Sequence, residues 1–491
     1  MRKLKPLILL LLIISLMMGG FAGCTSLSTS DTTKLKVMTY DKEDRYFNNQ
    51  YGDMFHAKND SIKIKLVRHD SKGLEGNESN YLEKLKQSFE QEELDVLYLS
   101  MNEYNQLSQD GFLLELDPLV VRDHYNIDTI FPSITSLLRE QGGGRLYGFA
   151  PTFQRKAIYY NIDLFEQYGV ELPHDGMTWQ EIIDLIGQFP TDGDEQSRIY
   201  GGLNSFGLSK ENPLLGLGLS IGLFKGLKAV NVNTMKVTMD TEGWKQAFQQ
   251  AKVALSSNSF LIGRFNEDED FDKQQPFVQG RQAILISDEP IYAYSALDYI
   301  KSGKSDNKPF KIGMVVGPVN ETNREVTRDL YMNNDYVYAI RAKSSNVEAA
   351  WELLKVMQGD EVASKLARRP DNGIPSRMGH KSDFNGIDLD VFYHLTSVLS
   401  NGYADDPNNV IPDKFNDKYW ECMEREWTQV EKSQKTIDEA LKTIQQDLQV
   451  ALDNVMLDKK VTGENSEGKS NNNIRKDMII NWEDFKTIPF K

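Results

Sequence analysis

Residues 337–359 read VYAIRAKSSNVEAAWELLKVMQG, and the change of period inside this stretch decides the fold. Val337 to Ile340 form a compact apolar run of strand length. After a Ser/Asn start at Ser344, the residues Val347, Ala350, Leu353, Leu354 and Met357 recur at helical spacing, and Gly359 closes the pattern. One strand followed by one amphipathic helix is predicted here.

Working outward, the same step repeats. Strands are predicted at 312–316, at 34–40, where polar and apolar residues alternate before Asp41, and at 95–99, an apolar run expected to be buried on both faces. Thr178-Trp179-Gln180-Glu181 and Thr436-Ile437-Asp438-Glu439 are capping boxes, in which hydroxyl and carboxylate satisfy free amides reciprocally. The second opens a helix whose apolar stripe runs from Ile437 through Leu441, Ile444, Leu448 and Leu452 to Val455. Strands alternating with helices over some 400 residues predict an α/β architecture with largely parallel sheets, divided into two domains. The run Gly142-Gly143-Gly144 lacks a strand before it and a helix start after it, and reads as a tight turn.

The chain has 491 residues, 40% of them hydrophobic, enough to give two lobes a core each without disulfides. Arg2, Lys3 and Lys5 precede an apolar stretch, interrupted only by Ser15, and small residues lead to Cys24, the layout of a secretory signal over residues 1–23. The stretch 7–21 falls short of the roughly 20 residues that a spanning helix needs. Phe21-Ala22-Gly23-Cys24 resembles the lipobox of bacterial lipoproteins, which makes Cys24 the expected lipid-bearing N-terminus, palmitate included, and leaves Cys422 as the only other cysteine. Residues 24–33, rich in Ser and Thr, then serve as a flexible tether. Loss of the leader takes the formal charge from −16 to −19, and no basic stripe interleaved with aromatics is visible, so nucleic acid is not an expected partner. Residues 457–491, rich in Gly, Ser, Asn and charge at their start, form an extension outside the core pattern.

Enzyme chemistry finds little footing. The 6 histidines are scattered with no pair at metal-ligand spacing, and neither a Gly-x-Ser-x-Gly elbow nor a phosphate loop occurs. No cofactor or metal is expected. A secreted glycosidase needs only two carboxylates, which 72 acidic residues cannot exclude, yet no specific pair is marked.

Several segments, in order, resemble the family 1 extracellular solute-binding lipoproteins of bacterial ABC importers, the carbohydrate-type group that includes maltose-binding protein. They are Asp95-Val96-Leu97-Tyr98-Leu99 with Gly111-Phe112-Leu113-Leu114-Glu115-Leu116, then Leu146-Tyr147-Gly148-Phe149-Ala150-Pro151 with Ile158-Tyr159-Tyr160-Asn161-Ile162-Asp163-Leu164-Phe165, then Phe277 to Ile284, Ile374-Pro375-Ser376 and Thr436 to Leu441. The resemblance spans about 35–455. It implies a two-lobe, type II periplasmic-binding-protein-like fold, each lobe a mainly parallel sheet flanked by helices, with the ligand cleft between them. The expected division is 34–152 plus 337–380 for the N-lobe and 153–336 plus 381–456 for the C-lobe. It further implies a monomeric, non-enzymatic receptor on the outer face of the cell membrane, more in keeping with a Gram-positive-type surface than a periplasm. Its expected partners are an oligosaccharide and the permease subunits.

Sugars demand paired hydrogen-bonding groups and flat aromatic surfaces. By resemblance the contacts are expected from Asp41 after the first strand, Asn102 and Glu103 after the 95–99 strand, and Gln154 where the chain first crosses between lobes. Asp288, Glu289 and Tyr292 follow a later strand, with Tyr292 as the stacking ring. Asn334, Asn372 and Trp420, the last a second stacking platform, complete the set. From the residues alone, Asp41 reads equally as a helix cap, Asn102 and Glu103 as a solvated loop, and Tyr292 and Trp420 as core aromatics. A peptide or polyamine ligand, and a role as a sensor's ligand-presenting partner, also stay open.

Overall fold

The computed structural model describes residues 32–40, 44–69, 78–194, 197–202, 212–261, 275–287, 297, 300–302, 308–331, 337–368, 370, 373–382, 386–399, 411–412 and 414–462. Two helix-flanked sheets are joined by a third. The first contains β1 (Thr33–Thr39), β2 (Ile62–Arg68), β3 (Val96–Leu99), β4 (Gly148–Phe149) and β14 (Val337–Ile340), in the order β2-β1-β3-β14-β4. The second contains β6 (Ala157–Asn161), β7 (Tyr200–Gly202), β10 (Gln282–Ser287) and β11 (Ile312–Val315), in the order β11-β6-β10-β7. The third joins β5 (Thr152–Arg155), β12 (Val319–Asn320), β13 (Asn323–Tyr331), β15 (Ile374–Pro375) and β16 (Thr396–Leu399). A small hairpin, β8 (Val230–Asn231) with β9 (Lys236–Val237), lies apart.

Both large sheets follow one plan. β1 runs parallel to β2 and β3, whereas β14 is antiparallel to β3 and β4. In the second sheet β7 is parallel to β10, whereas β6 is antiparallel to β10 and β11. Each sheet is therefore parallel but for a single reversed strand, and that strand is the one entered just after the chain passes through the third sheet.

Two core clusters fill the protein, the first reaching from the first sheet onto the second through Tyr159, Leu285 and Met314. The first gathers Leu35, Val37, Val96, Leu97, Ile340, Leu353 and Leu354 around Trp351, which stacks on Phe149 with ring centroids 6.0 Å apart. The second gathers Ile182, Ile186, Ile284, Ile444 and Leu448 around Trp427, stacked on Phe248 at 3.5 Å. Burying such aromatics removes about 150–250 Å² each from water, so either lobe has the apolar payload of an independent core.

Local signals account for the helices. Thr178 and Glu181 form both bonds of the capping box ahead of the helix Trp179–Ile186, and Thr436 with Glu439 does so ahead of Ile437–Thr462. The predicted helix after Ser344 spans Val347–Met357, but its Asn346 does not cap by its side chain. The Asn346 amide instead donates to Asp95 and to the Lys34 carbonyl, tying the helix start to the entry of the first sheet. The glycine run is a turn, with Gly143 and Gly144 at φ 63° and 94°.

One expected boundary shifts. The last helix continues through 457–462, past the proposed start of the extension at 457, because Val455 still packs on the second core and no breaker intervenes before Thr462. Ile387, Leu389 and Phe392, at and beside the 3-10 turn Leu389–Tyr393, join the core cluster that bridges the two sheets.

Candidate functional site

Three passages of chain connect the lobes, and one buried ion pair binds them together. β5 leads from β4 to β6, β13 leads back toward β14, and residues 373–382 and 386–399 belong to the third passage, with β15 and β16. β5 and β13 pair antiparallel, with Leu330 opposite Arg155 and Tyr331 opposite Gln154. The Arg155 Nε and Nη2 donate to Asp329 Oδ2 at 3.1 and 2.8 Å, and Nη2 also reaches Thr327 Oγ1 at 3.0 Å. Its Nη1 donates to the carbonyls of Phe392 and His394 at 2.7 and 2.8 Å. All five guanidinium N–H groups thus find acceptors, which is what burial of a charge demands. On the far side Ser397 Oγ donates to Asp329 Oδ1, and the Ser397 amide donates to Ser133 Oγ at 2.9 Å, at the head of the first-lobe helix Pro132–Gln141.

Strand alternation aims the neighbours of this lock elsewhere. Phe153 and Arg155 are fully buried, and Gln154 between them is half-buried on the opposite face of β5. A polar amide is thereby presented at the junction of the lobes.

The carboxyl ends of strands, where ligands of open α/β sheets bind, carry a row of aromatics in the first lobe. Tyr98 of β3 stacks on its cross-strand partner Tyr338 of β14 at 4.4 Å. Tyr40, just past β1, lies 6.0 Å from Tyr98 and 5.9 Å from His69, just past β2, and Tyr51 closes the far end 5.8 Å from Tyr338. Tyr40, His69 and Tyr98 are half-buried. Sequence reasoning missed this row. Its one local signal was a phenol at the last inward pair of an otherwise apolar strand.

The expected contacts fare differently. Asp41, Asp288, Glu289, Tyr292, Asn334, Asn372 and Cys24 lie outside the described residues. Asn102 is exposed on the first turn of the helix Met101–Gln109, at the end of β3, and accepts from Gln106 at 3.2 Å. Glu103, expected from sequence as a solute contact, is instead a buried capping residue. Its Oε2 accepts the Ser100 amide at 2.8 Å and its Oε1 the Tyr81 hydroxyl at 2.6 Å. The Ser-x-x-Glu spacing of Ser100 and Glu103 was the overlooked sign. Trp420 is half-buried on the helix Lys414–Glu431, edge-on to Tyr419 at 5.1 Å, while Trp427 is held by Phe248. On the same helix, burial pushes the Cys422 thiol up to about 11, so it is a packing residue and not a nucleophile. Among the described residues no three His, Cys, Asp or Glu side chains are grouped as metal ligands.

The family model described as "Bacterial extracellular solute-binding protein" matches residues 40–364, which runs from just past β1 through the second sheet and the crossing strands β5 and β13 to β14 and the helix after it. The chain belongs to this family. Among solved structures this solute-binding protein is similar to a sugar transporter protein from Rhizobium etli in an open conformation, with 16% identity over 85% of this chain and 99% of that one, and a TM-score of 0.58. It is similar to the sugar-binding protein MalE from Xanthomonas citri, with 14% identity, 89% and 100% coverage and a TM-score of 0.58. It is also similar to an ABC substrate-binding protein from Listeria monocytogenes in complex with cycloalternan, with 16% identity, 88% and 100% coverage and a TM-score of 0.52. At such identities the likeness concerns the fold, a two-lobe type II architecture. In this solute-binding protein Gln154 stands on the crossing strand β5, and the Tyr40–Tyr98–Tyr338 row stands at the strand ends of the first sheet.

Proposed function

We propose that this protein is the receptor subunit of an ABC importer, anchored to the outer face of the cell membrane by lipid on Cys24. It captures a carbohydrate, an oligosaccharide, between its lobes and hands it unaltered to the membrane permease. The lobes are taken as 34–152 plus 337–380 and 153–336 plus 381–456. The reading rests chiefly on the crossing strands, which leave a polar amide at Gln154 facing the junction while an aromatic row stands at adjacent strand ends. Hydroxyls and the C–H face of a sugar ring call for that combination. The sugar-related names of three proteins of like fold lend it support.

Asn102, Gln154 and Trp420 are the proposed contacts among the described residues, and Asp41, Asp288, Glu289, Tyr292, Asn334 and Asn372 those outside them. Closure is a hinge rotation, favoured by a solute that touches both lobes, and the permease reads the closed state. A thermal-shift screen of the chain from Cys24 onward against mono- and oligosaccharides tests the reading, because a native-state ligand at 100 times its Kd stabilises by about 2.7 kcal/mol. The expected result is a raised midpoint with at least one oligosaccharide, recovered at its original length. An unmoved midpoint across the screen, or a shortened sugar, counts against it, and the mass of Cys24 in the membrane-extracted protein tests the anchor independently.

A further inference from the structure

Strand register gathers charges that the sequence keeps apart. Lys34 and Lys36 of β1 are the Cα partners of Lys63 and Lys65 of β2, and alternation puts all four on one face of the first sheet. Adjacent strands lie about 4.8 Å apart, well inside a Debye length of about 8–10 Å. Lys34, Lys63 and Lys65 are exposed, and among the described residues none of them has an ion-pair partner. Lys36 is half-buried and donates to Glu93 Oε2 and the Glu92 carbonyl, both at 2.9 Å. The acidic groups bordering the face are Asp60, in the turn before β2, together with Glu92 and the engaged Glu93.

Like charges directly opposite each other destabilise a sheet, and here two such pairs stand side by side in a chain of formal charge −16. Charges on an edge strand discourage pairing with another chain, and β2 is an edge. That role accounts for Lys63 and Lys65 but not for Lys34, because β1 is an inner strand between β2 and β3 and the Lys34 carbonyl is taken by the Asn346 side chain. The lysines occupy the amino ends of β1 and β2, opposite the edge that carries Tyr40 and His69. They also stand where the chain arrives from its tether, since Thr33 follows Cys24 by nine residues, about 30 Å when fully extended.

We propose that this lysine face is a docking surface for the anionic headgroups of the bilayer, holding the base of the first lobe against the membrane with the solute edge turned away. The proposal rests on the anchored reading above. The tether keeps the lysines at high effective concentration near the surface, where an anionic leaflet attracts them.

The test couples the chain from Cys24 onward, through the Cys24 thiol, to maleimide-bearing lipid in vesicles of phosphatidylcholine alone or with phosphatidylglycerol. Lysine acylation rates are then read residue by residue by mass spectrometry. On anionic vesicles Lys34, Lys63 and Lys65 are expected to react at least about threefold more slowly than on neutral ones, with the difference abolished in about 0.5 M salt. Lys252 and Lys432, exposed on the second lobe, keep their rates. Equal rates on the two vesicle types, or equal slowing at Lys252 and Lys432, overturn the proposal. Because the coupling supplies the attachment chemically, a negative result bears on the lysine face and leaves lipidation of Cys24 to its own measurement.

Discussion

Arg155 and Asp329 meet at 2.8 Å across β5 and β13, and neither side chain is exposed. Breaking a buried pair from one side leaves an uncompensated charge and costs about 3–5 kcal/mol, whereas replacing both partners by apolar groups is far milder. Arg155→Met and Asp329→Leu singly are expected to lower urea-unfolding stability by that amount, and the double variant to recover most of it. A double variant as unstable as the sum of the singles would mean that the lock acts through its carbonyl and hydroxyl partners.

Gln154 and Trp420 are half-buried, and their proposed duty is toward the solute. With a sugar identified by the screen, Gln154→Ala and Trp420→Ala should each weaken affinity at least tenfold, an effect of about 1.4 kcal/mol. Their thermal midpoints should stay within a few degrees of the parent. Calorimetric titration separates the two readouts, and a large loss of stability with intact affinity would return both residues to the packing.

The Ser100–Glu103 box predicts the opposite pattern. Ser100→Ala removes the acceptor of the Glu103 amide and should cost about 1 kcal/mol of stability, and Glu103→Gln weakens both of its bonds. Solute affinity measured on either variant is expected to remain within about twofold of the parent, in keeping with a role confined to the cap.

Glu181 gives the fold a pH dependence. The Thr178 amide chiefly holds its carboxyl below the usual carboxylate range, against the effect of burial, with Arg324 and the Thr178 hydroxyl adding to it. A group depressed in the folded state stabilises above its unfolded pKa of about 4.3, and that contribution disappears as pH falls through the folded value. Thermal midpoints taken from pH 7 down to about 3 should therefore drop less steeply in Glu181→Gln than in the parent, the variant starting lower at pH 7.

The elements that sequence disclosed are those whose signals are local. Alternation at Lys34 to Tyr40, the apolar run Val96 to Leu99 and the two threonine boxes each occupy a few consecutive residues, and each element starts within one or two positions of where it is expected, although the last helix runs on to Thr462. The crossing strands were opaque for the opposite reason. Thr152-Phe153-Gln154-Arg155 is short and polar, and Arg155 meets its carboxylate 174 residues away, so each half looks like an ordinary surface charge until the strands pair. Glu103 misled because a glutamate after a strand suits a ligand loop as well as a helix start, and only the serine three places before it distinguishes them. Tyr98 and Tyr338 were hidden inside strands that read as uniform core.

The reversed strand in each large sheet bears on how such a chain assembles as it leaves the cell. β14 sits between β3 and β4, so the first sheet has a vacancy in its middle, not at its rim, until residues beyond the whole second sheet have been delivered. As the chain emerges, its amino-terminal third carries the ribbon β2-β1-β3 and the lone strand β4, which share no pairing until residues 337–340 arrive late as the keystone. A secretion arrest placed before residue 337 would strand the chain with its first half unfinished, however well the second had formed.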